Sequence, residues 1–373
     1  GDTNIVGRTS FGGFLLNSND LSAIFNTATL SDYWNTTGEL AALADELETL
    51  ASSEMNAIIN TLGADASKAA VEETYFSTMN TFQVAKQSLG AAVGLSLSRG
   101  TEFRDQLQLP AGARGPNNDL ENDWRFWAKY YGNFYHRNRD GLNAEYDATM
   151  HGGVIGMDKS FGHLLVGLSG GMGKNTIETE NDAEQNMDSY QGALYSTLGS
   201  NHAYLDAGLA YGFNGVDSRT AAPFILEGEF DTHLISAHLG GGYGFEFSDI
   251  GTIVTPEAAV GYTRYQQQAY TETGAIATPR SFDEFDANSL LGTFGLNASM
   301  RNATVLKTFA FKLEGRAHWM HEFNPDPGPL SYQLVGGVDD HLIAYPHLDE
   351  DTIRLGFGFT FFNTTKGSKK NIL

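Results

Sequence analysis

The stretch Ala203–Phe213, AYLDAGLAYGF, decides the fold. Successive side chains of a β-strand point to opposite sides. On that period Ala203, Leu205, Ala207, Leu209, Tyr211 and Phe213 share one face, and Tyr204, Asp206, Gly208, Ala210 and Gly212 share the other. One side is apolar and the other is polar or small. Neither side carries a helical spacing of apolar residues.

The same alternation recurs from Trp124 to the end of the chain. In Phe309–Phe323 the residues Phe309, Phe311, Leu313, Gly315, Ala317, Trp319, His321 and Phe323 share a face, opposite Lys312, Glu314, Arg316, His318 and Glu322. In Ile353–Phe361 the residues Ile353, Leu355, Phe357, Phe359 and Phe361 oppose Arg354, Gly356, Gly358 and Thr360. Gly240, Gly242 and Gly244 oppose Tyr243, Phe245 and Phe247. Soluble strands average about five or six residues. These run to about ten or more, the length of a strand that crosses a membrane at a tilt. A charged face beside a fully aromatic-aliphatic one places water on one side and lipid on the other.

Composition agrees and closes other routes. The 23 Lys and Arg against 45 Asp and Glu give a net charge of −22, which argues against a phosphate-tracking nucleic-acid surface. Cysteine is absent, so disulfide scaffolds, thiolate zinc sites and cysteine nucleophiles are excluded. Charged residues are only 18% of the chain, Gly is 43 of 373 and aromatics are 12%, which suits a soluble β protein or a transmembrane β-barrel. The apolar windows, such as Ala91–Leu97, are too short for a transmembrane helix.

Residues 1–108 read differently. Leu40, Leu43, Leu47 and Leu50 follow a helical spacing after Thr37, and Met55, Ile58, Ile59 and Leu62 follow Ser53 up to Gly63. A longer helix capped at Ser67 carries Val71, Tyr75, Met79 and Phe82, and continues toward Leu97 and Leu107. Residues 109–123 form a Pro/Gly/Asn loop. The expected domains are therefore a helical linker or plug over 1–108, the loop, and a barrel over 124–373 whose last strand is incomplete. Connectors alternate between short (Ser160–His163, Gly199–His202, Ser248–Gly251, Arg301–Thr304) and long (Arg137–Tyr146, Lys174–Asp188, Asn214–Phe230, Thr271–Phe285). Short periplasmic turns and long outer loops direct the strand from Trp124 outward.

Several fragments together resemble the C-terminal translocator domain of autotransporters, the type V secretion proteins. They are WAKYYGNF (Trp127–Phe134), GGVIGMDKSFG (Gly152–Gly162), LLVGLSGGMG (Leu164–Gly173), SYQGALY (Ser189–Tyr195), AYLDAGLAYG (Ala203–Gly212), TPEAAVGYTRY (Thr255–Tyr265), AHWMHEF (Ala317–Phe323) and DTIRLGFGF (Asp351–Phe359). The resemblance implies an all-β, antiparallel up-and-down transmembrane barrel of about twelve strands, filled by a preceding helix. It implies a bacterial outer-membrane location and export of an N-terminal passenger, with no catalysis in this region. Lipids, lipopolysaccharide, the barrel-assembly machinery and the chain's own passenger are the implied partners. The second reading is a structural or adhesive barrel, or a small porin, with a helical plug and no passenger.

About eleven full strands are countable, ending with Thr352–Phe362, and an even number is needed to leave no edge in lipid. Either the chain stops before its last strand, or Asn4–Leu16 closes the seam; the first is expected.

Candidate chemistry is sparse, and no catalytic, cofactor or metal residue is assigned. Gly1–Asn4 lacks the serine of a passenger esterase block. Gly170–Lys174 has Leu168 and Asn175 where a phosphate loop needs Gly and Ser or Thr. His318 and His321, three apart on a strand, point to opposite faces. Asn117-Asn118, the pair at which some autotransporters cleave, lies in the loop rather than in a helix. The acidic run Glu178, Glu180, Asp182, Glu184 and Asp188 fits no calcium loop. By strand parity Lys129, Asp158, Asp206, Glu257, Lys312, Glu314, Arg316 and Arg354 face the lumen, with Arg99 and Arg104 of the incoming segment as partners for the acidic ones.

Overall fold

A computed structural model describes residues 64–107 and 124–363, apart from short pieces at 138–144, 180–182, 201, 221–224, 248–251, 275–278, 307–308, 336–339 and 344–349. The two shorter helices expected before Gly63, the alternative closing strand at Asn4–Leu16 and the Asn117-Asn118 pair lie outside these residues.

Among the described residues one helix, α1 (Ala64–Leu107), precedes fifteen strands. They are β1 (Trp124–Arg137), β2 (Tyr146–Phe161), β3 (Leu164–Thr179), β4 (Glu184–Gly199), β5 (Ala203–Arg219), β6 (Glu227–Tyr243), β7 (Phe245–Phe247) and β8 (Thr252–Gln267). Then follow β9 (Tyr270–Thr271), β10 (Arg280–Phe282), β11 (Phe285–Leu306), β12 (Phe309–Glu322), β13 (Leu330–Leu334), β14 (Asp340–Ile343) and β15 (Asp351–Asn363).

Ten of these form one antiparallel meander in the order β1-β2-β3-β4-β5-β6-β8-β11-β12-β15, and β7 pairs with β8 beyond the end of β6. Among the described residues the period-two segments thus yield ten long strands, with the short β7 as the eleventh member of the sheet. The others build a four-stranded sheet, β14-β13-β10-β9, out of the connectors. Among the described residues β1 and β15 each have a partner on one side only.

Three connectors differ from the expectation; the short one at Arg301–Thr304 lies inside β11, which runs to Leu306. Lys174–Asp188 and Asn214–Phe230 are largely strand, because β3 runs to Thr179, β4 starts at Glu184, β5 runs to Arg219 and β6 starts at Glu227. Their outward side chains change from apolar to charged near Lys174 and Asp217, which reads as loop. The ladder nonetheless continues past the apolar belt, with charged side chains outward and Ile177, Met187, Val216 and Phe230 buried inward. At the opposite end β2 and β3 meet in a tight turn at Gly162, whose φ of 59° is a conformation that favours glycine.

The sheet curls around α1. Outward residues of β3 are Leu164, Val166, Leu168 and Met172, all exposed, followed by exposed Lys174. That apolar run covers about 26 Å of strand, or roughly 20 Å of height at the usual tilt. On β5 the exposed series is Leu205, Leu209 and Tyr211, with Leu205 close to the short-turn end and Leu209 near mid-height. Inward residues pack on the helix: Leu89, Val93 and Leu97 approach Gly212 and Gly208 of β5. Glycines there leave room for the helix backbone to lie close to the wall.

Candidate functional site at the helix–sheet interface

The helix from Thr78 to Arg104 covers about 39 Å at 1.5 Å per residue. A strand of 16 residues tilted by about 45° rises by a similar amount. The helix therefore runs the full height of the sheet. Its direction is fixed by its contacts. Phe82 packs on Tyr265, at the long-connector end, with ring centroids 5.2 Å apart. Arg104 binds Asp206, next to the short turn after Gly199. The N-terminal end of α1 thus lies at the long-connector end and its C-terminal end at the short-turn end.

The C-terminal end is held by charge. Asp158 is fully buried, and Arg99 donates to it from Nε at 2.8 Å. Arg125 Nε lies 3.0 Å from its other oxygen. The Tyr195 hydroxyl donates to Asp158 at 3.1 Å and accepts from the Trp127 indole at 2.8 Å. Lys129 donates to Glu102 and to Ser98, both at 2.6 Å, and Arg99 also bonds Glu102. A carboxylate with no solvent contact needs such partners, since an unpaired buried charge costs several kcal/mol.

A second network spreads from Arg104. It donates to Asp206 at 3.0 Å and lies 3.5 Å from the centre of the Tyr204 ring. Asp206 also accepts from Thr197 at 2.6 Å. The Tyr204 hydroxyl donates to Glu257 at 2.6 Å, and His318 sits 3.0 Å from the other Glu257 oxygen. Gly100 lies where these meet: a Cβ there would stand 2.0 Å from Thr197 Oγ1. The helix can approach this closely only at a glycine.

The middle and the outer half are held differently. Ser88 meets the Tyr131 hydroxyl at 3.2 Å, and Ser96 meets Ser169 at 2.8 Å. Lys86 reaches Glu322 at 3.4 Å, and Ser289 also donates to that carboxylate at 2.5 Å.

Of the residues singled out from sequence, Lys129, Asp158, Asp206, Glu257, Arg99 and Arg104 gather in these contacts. Glu314 and Arg316 are 3.8 Å apart on β12. Lys312 is paired in register with Thr360, and Arg354 with His318; Arg354 is exposed. Sequence reading missed Lys86, Glu102, Arg125, Tyr195, Tyr204 and Gly100. Lys86 and Glu102 sit in α1 among many polar residues, and nothing local marks which ones face a wall. Gly100 breaks a helical run at an internal position, and that is the one available signal.

The autotransporter β-domain family model matches residues 126–368, well over half the chain. Outer membrane protein B of Rickettsia prowazekii is 23% identical over 249 residues, 62% of this chain and 15% of that protein. An extracellular serine protease of Serratia marcescens is 22% identical over 223 residues, 59% of this chain and 21% of that protein. The chain thus spans at most about a fifth of the length of these relatives. Among solved structures it is similar to the translocator domain of the autotransporter NalP from Neisseria meningitidis, with a TM-score of 0.50 and 17% identity over 72% of this chain and 86% of that one. The exposed apolar belt and the antiparallel meander around a central helix are what such a family requires. The chain belongs to the autotransporter β-domain family and is a protein of the bacterial outer membrane.

Proposed function

We propose that this chain is a translocator: a barrel that anchors in the outer membrane and delivers the segment upstream of α1 to the cell surface. One observation carries the reading. The helix runs antiparallel to β1, with its C-terminal end beside the short turns and its N-terminal end at the long connectors. A chain that enters β1 from the periplasm must then have everything upstream of α1 outside.

On this reading residues 1–108 are the linker and plug, 109–123 the periplasmic loop and 124–373 the barrel. Lys129, Asp158, Asp206, Glu257, Lys312, Glu314, Arg316 and Arg354 line a lumen of mixed charge, in which Arg99 and Arg104 neutralise two carboxylates. A mixed-charge, water-filled lumen lets an extended polypeptide pass without adhering to an apolar wall. The outward apolar belt meets lipid, the charged strand extensions above it meet lipopolysaccharide, and the barrel-assembly machinery inserts the sheet. The chain acts as a conduit rather than a catalyst.

An epitope fused upstream of Gly1 tests the reading in an outer-membrane host. External protease added to intact cells should remove the epitope while the barrel stays folded. An epitope that is reached only after the outer membrane is opened would refute it.

A further inference from the structure

The connectors at the outer end build a structure of their own. Strands β9, β10, β13 and β14 form a small antiparallel sheet. A reciprocal pair of backbone hydrogen bonds, Glu227 with Thr273, each 2.8 Å, ties it to the top of β6. Four rings run through it in one stack. Phe230 and Tyr270 are 4.4 Å apart, Tyr270 and Phe282 4.7 Å, and Phe282 and Tyr332 5.8 Å.

Beside the stack, Arg280 makes a bidentate pair with Glu272, Nε to Oε2 at 2.6 Å and a second nitrogen to Oε1 at 2.7 Å. Both side chains are nearly out of solvent. Burial alone would lower the Arg280 pKa, but Glu272 outweighs it and holds the guanidinium above its ordinary value. The pair staples β9 to β10. A bidentate pair of this kind fixes geometry as well as charge.

The inner side of this sheet is not self-contained. One continuous buried cluster joins Met79 and Phe82 of α1 to Tyr265 and Phe285 of the strand tops and to Tyr270, Phe282 and Leu330 of the small sheet. Phe82 is fully buried and Leu330 is 1% exposed. A cavity of about 30 Å³ lies between Asn80 of the helix and Glu272, Arg280 and Phe282. Without the helix, those rings and Leu330 would face an aqueous pore, and burying apolar surface is the main force that could seat the sheet.

We propose that the β9-β10-β13-β14 sheet is a closing cap that seats on the Met79–Phe82 turn of α1, shutting the outer mouth and locking the helix once export is complete. This rests on the translocator reading for its timing, though not for its seating. While another segment of chain fills the mouth, the apolar turn of α1 is absent and the cap has nothing to close on. When Phe82 arrives, the stack, the ion pair and the helix form one buried unit. A loop that opens freely would expose these groups. A cap of this kind opens only with loss of the whole cluster.

The test uses the full chain in the outer membrane. The protein has no native cysteine, so Leu330→Cys supplies a single thiol under the cap. Its labelling by a membrane-impermeant maleimide on intact cells should be slow. Adding Phe82→Ala should accelerate labelling about tenfold or more, whereas Phe82→Leu, which keeps most of the apolar volume, should leave it near the starting rate. Met79→Ala serves as a second truncation, and heat-modifiable migration confirms that each barrel is folded. Equal rates with Phe82 and with Phe82→Ala in folded barrels would overturn the seating. For timing, a folded block fused upstream stalls the chain in transit. The thiol should label fast when stalled and slowly after completion; protection in both states would overturn the late closure. Absence of the upstream epitope from the cell surface would refute export separately, while the Phe82 comparison would still decide the seating.

Discussion

Removing the Asp158 carboxylate should be the most damaging single change at the helix–wall contact. Asp158 is 0% exposed, and its partners Arg99 and Arg125 are 12% and 25% exposed. Asp158→Ala leaves two largely buried guanidiniums facing a void and removes the acceptor of the Tyr195 hydroxyl. Breaking a buried pair from one side costs about 3–5 kcal/mol. Arg99→Met should cost less, about 1–3 kcal/mol, because Arg125 and Tyr195 still satisfy the carboxylate. In the double variant the uncompensated charge on Arg99 is gone. Its cost should therefore fall short of the sum of the singles by about 2 kcal/mol. Urea unfolding of the refolded chain in lipid vesicles, followed by intrinsic fluorescence, reads all four states of the cycle. Trp127, whose indole donates to Tyr195 2.8 Å away, reports on this cluster. The exposed pair Lys174–Asp188, 3.7 Å apart on the outer surface, provides the control and should show no measurable coupling. Strict additivity would show that the Asp158 carboxylate and the helix-borne guanidinium do not act as a pair, and Arg99→Met costing more than Asp158→Ala would contradict the remaining support from Arg125 and Tyr195.

Depth on the outer wall gives a second test. Leu209→Arg, near mid-height, should cost about 2–4 kcal/mol of barrel stability in vesicles, and Leu205→Arg, near the short-turn rim, about 0–1; equal costs would contradict the assigned belt. Gly100→Val should overpack the helix against Thr197 and lower stability by about 1–3 kcal/mol, whereas the same change at Gly90, with open space around it, should be neutral or stabilise by under about 0.5 kcal/mol, since Val is a better helix former than Gly. Thermal unfolding of the two variants separates them.

How far these contacts are legible in the sequence depends on the range of the information. The alternation in Ala203–Phe213 is local, so it shows that Leu209 and Tyr211 share a side opposite Asp206, Gly208 and Gly212. The apolar run of β3 likewise shows where lipid contact ends, at Lys174. It does not show where the strand ends, because hydrogen bonding continues to Thr179 with charged side chains pointing out. That a cation on α1 meets a carboxylate on the wall follows from burial economics. Which one it meets does not: pairing Arg99 with Asp158 and Arg104 with Asp206 depends on the axial position and rotation of the helix. Gly100 shows why, since its role is to admit Thr197 from a strand about a hundred positions downstream. The outer cap is the least legible part. Strands of two to five residues carry too little period-two signal to stand out from loops.

The central claim is that α1 occupies the channel of this barrel along its full height. Single-channel conductance in planar bilayers tests it directly, by comparing the full chain with one lacking residues 1–108, each refolded and shown to be heat-modifiable. The account predicts that removing the helix raises conductance several-fold, because the helix displaces most of the conducting cross-section. The same conductance with and without the helix would place α1 outside the pore and contradict the account.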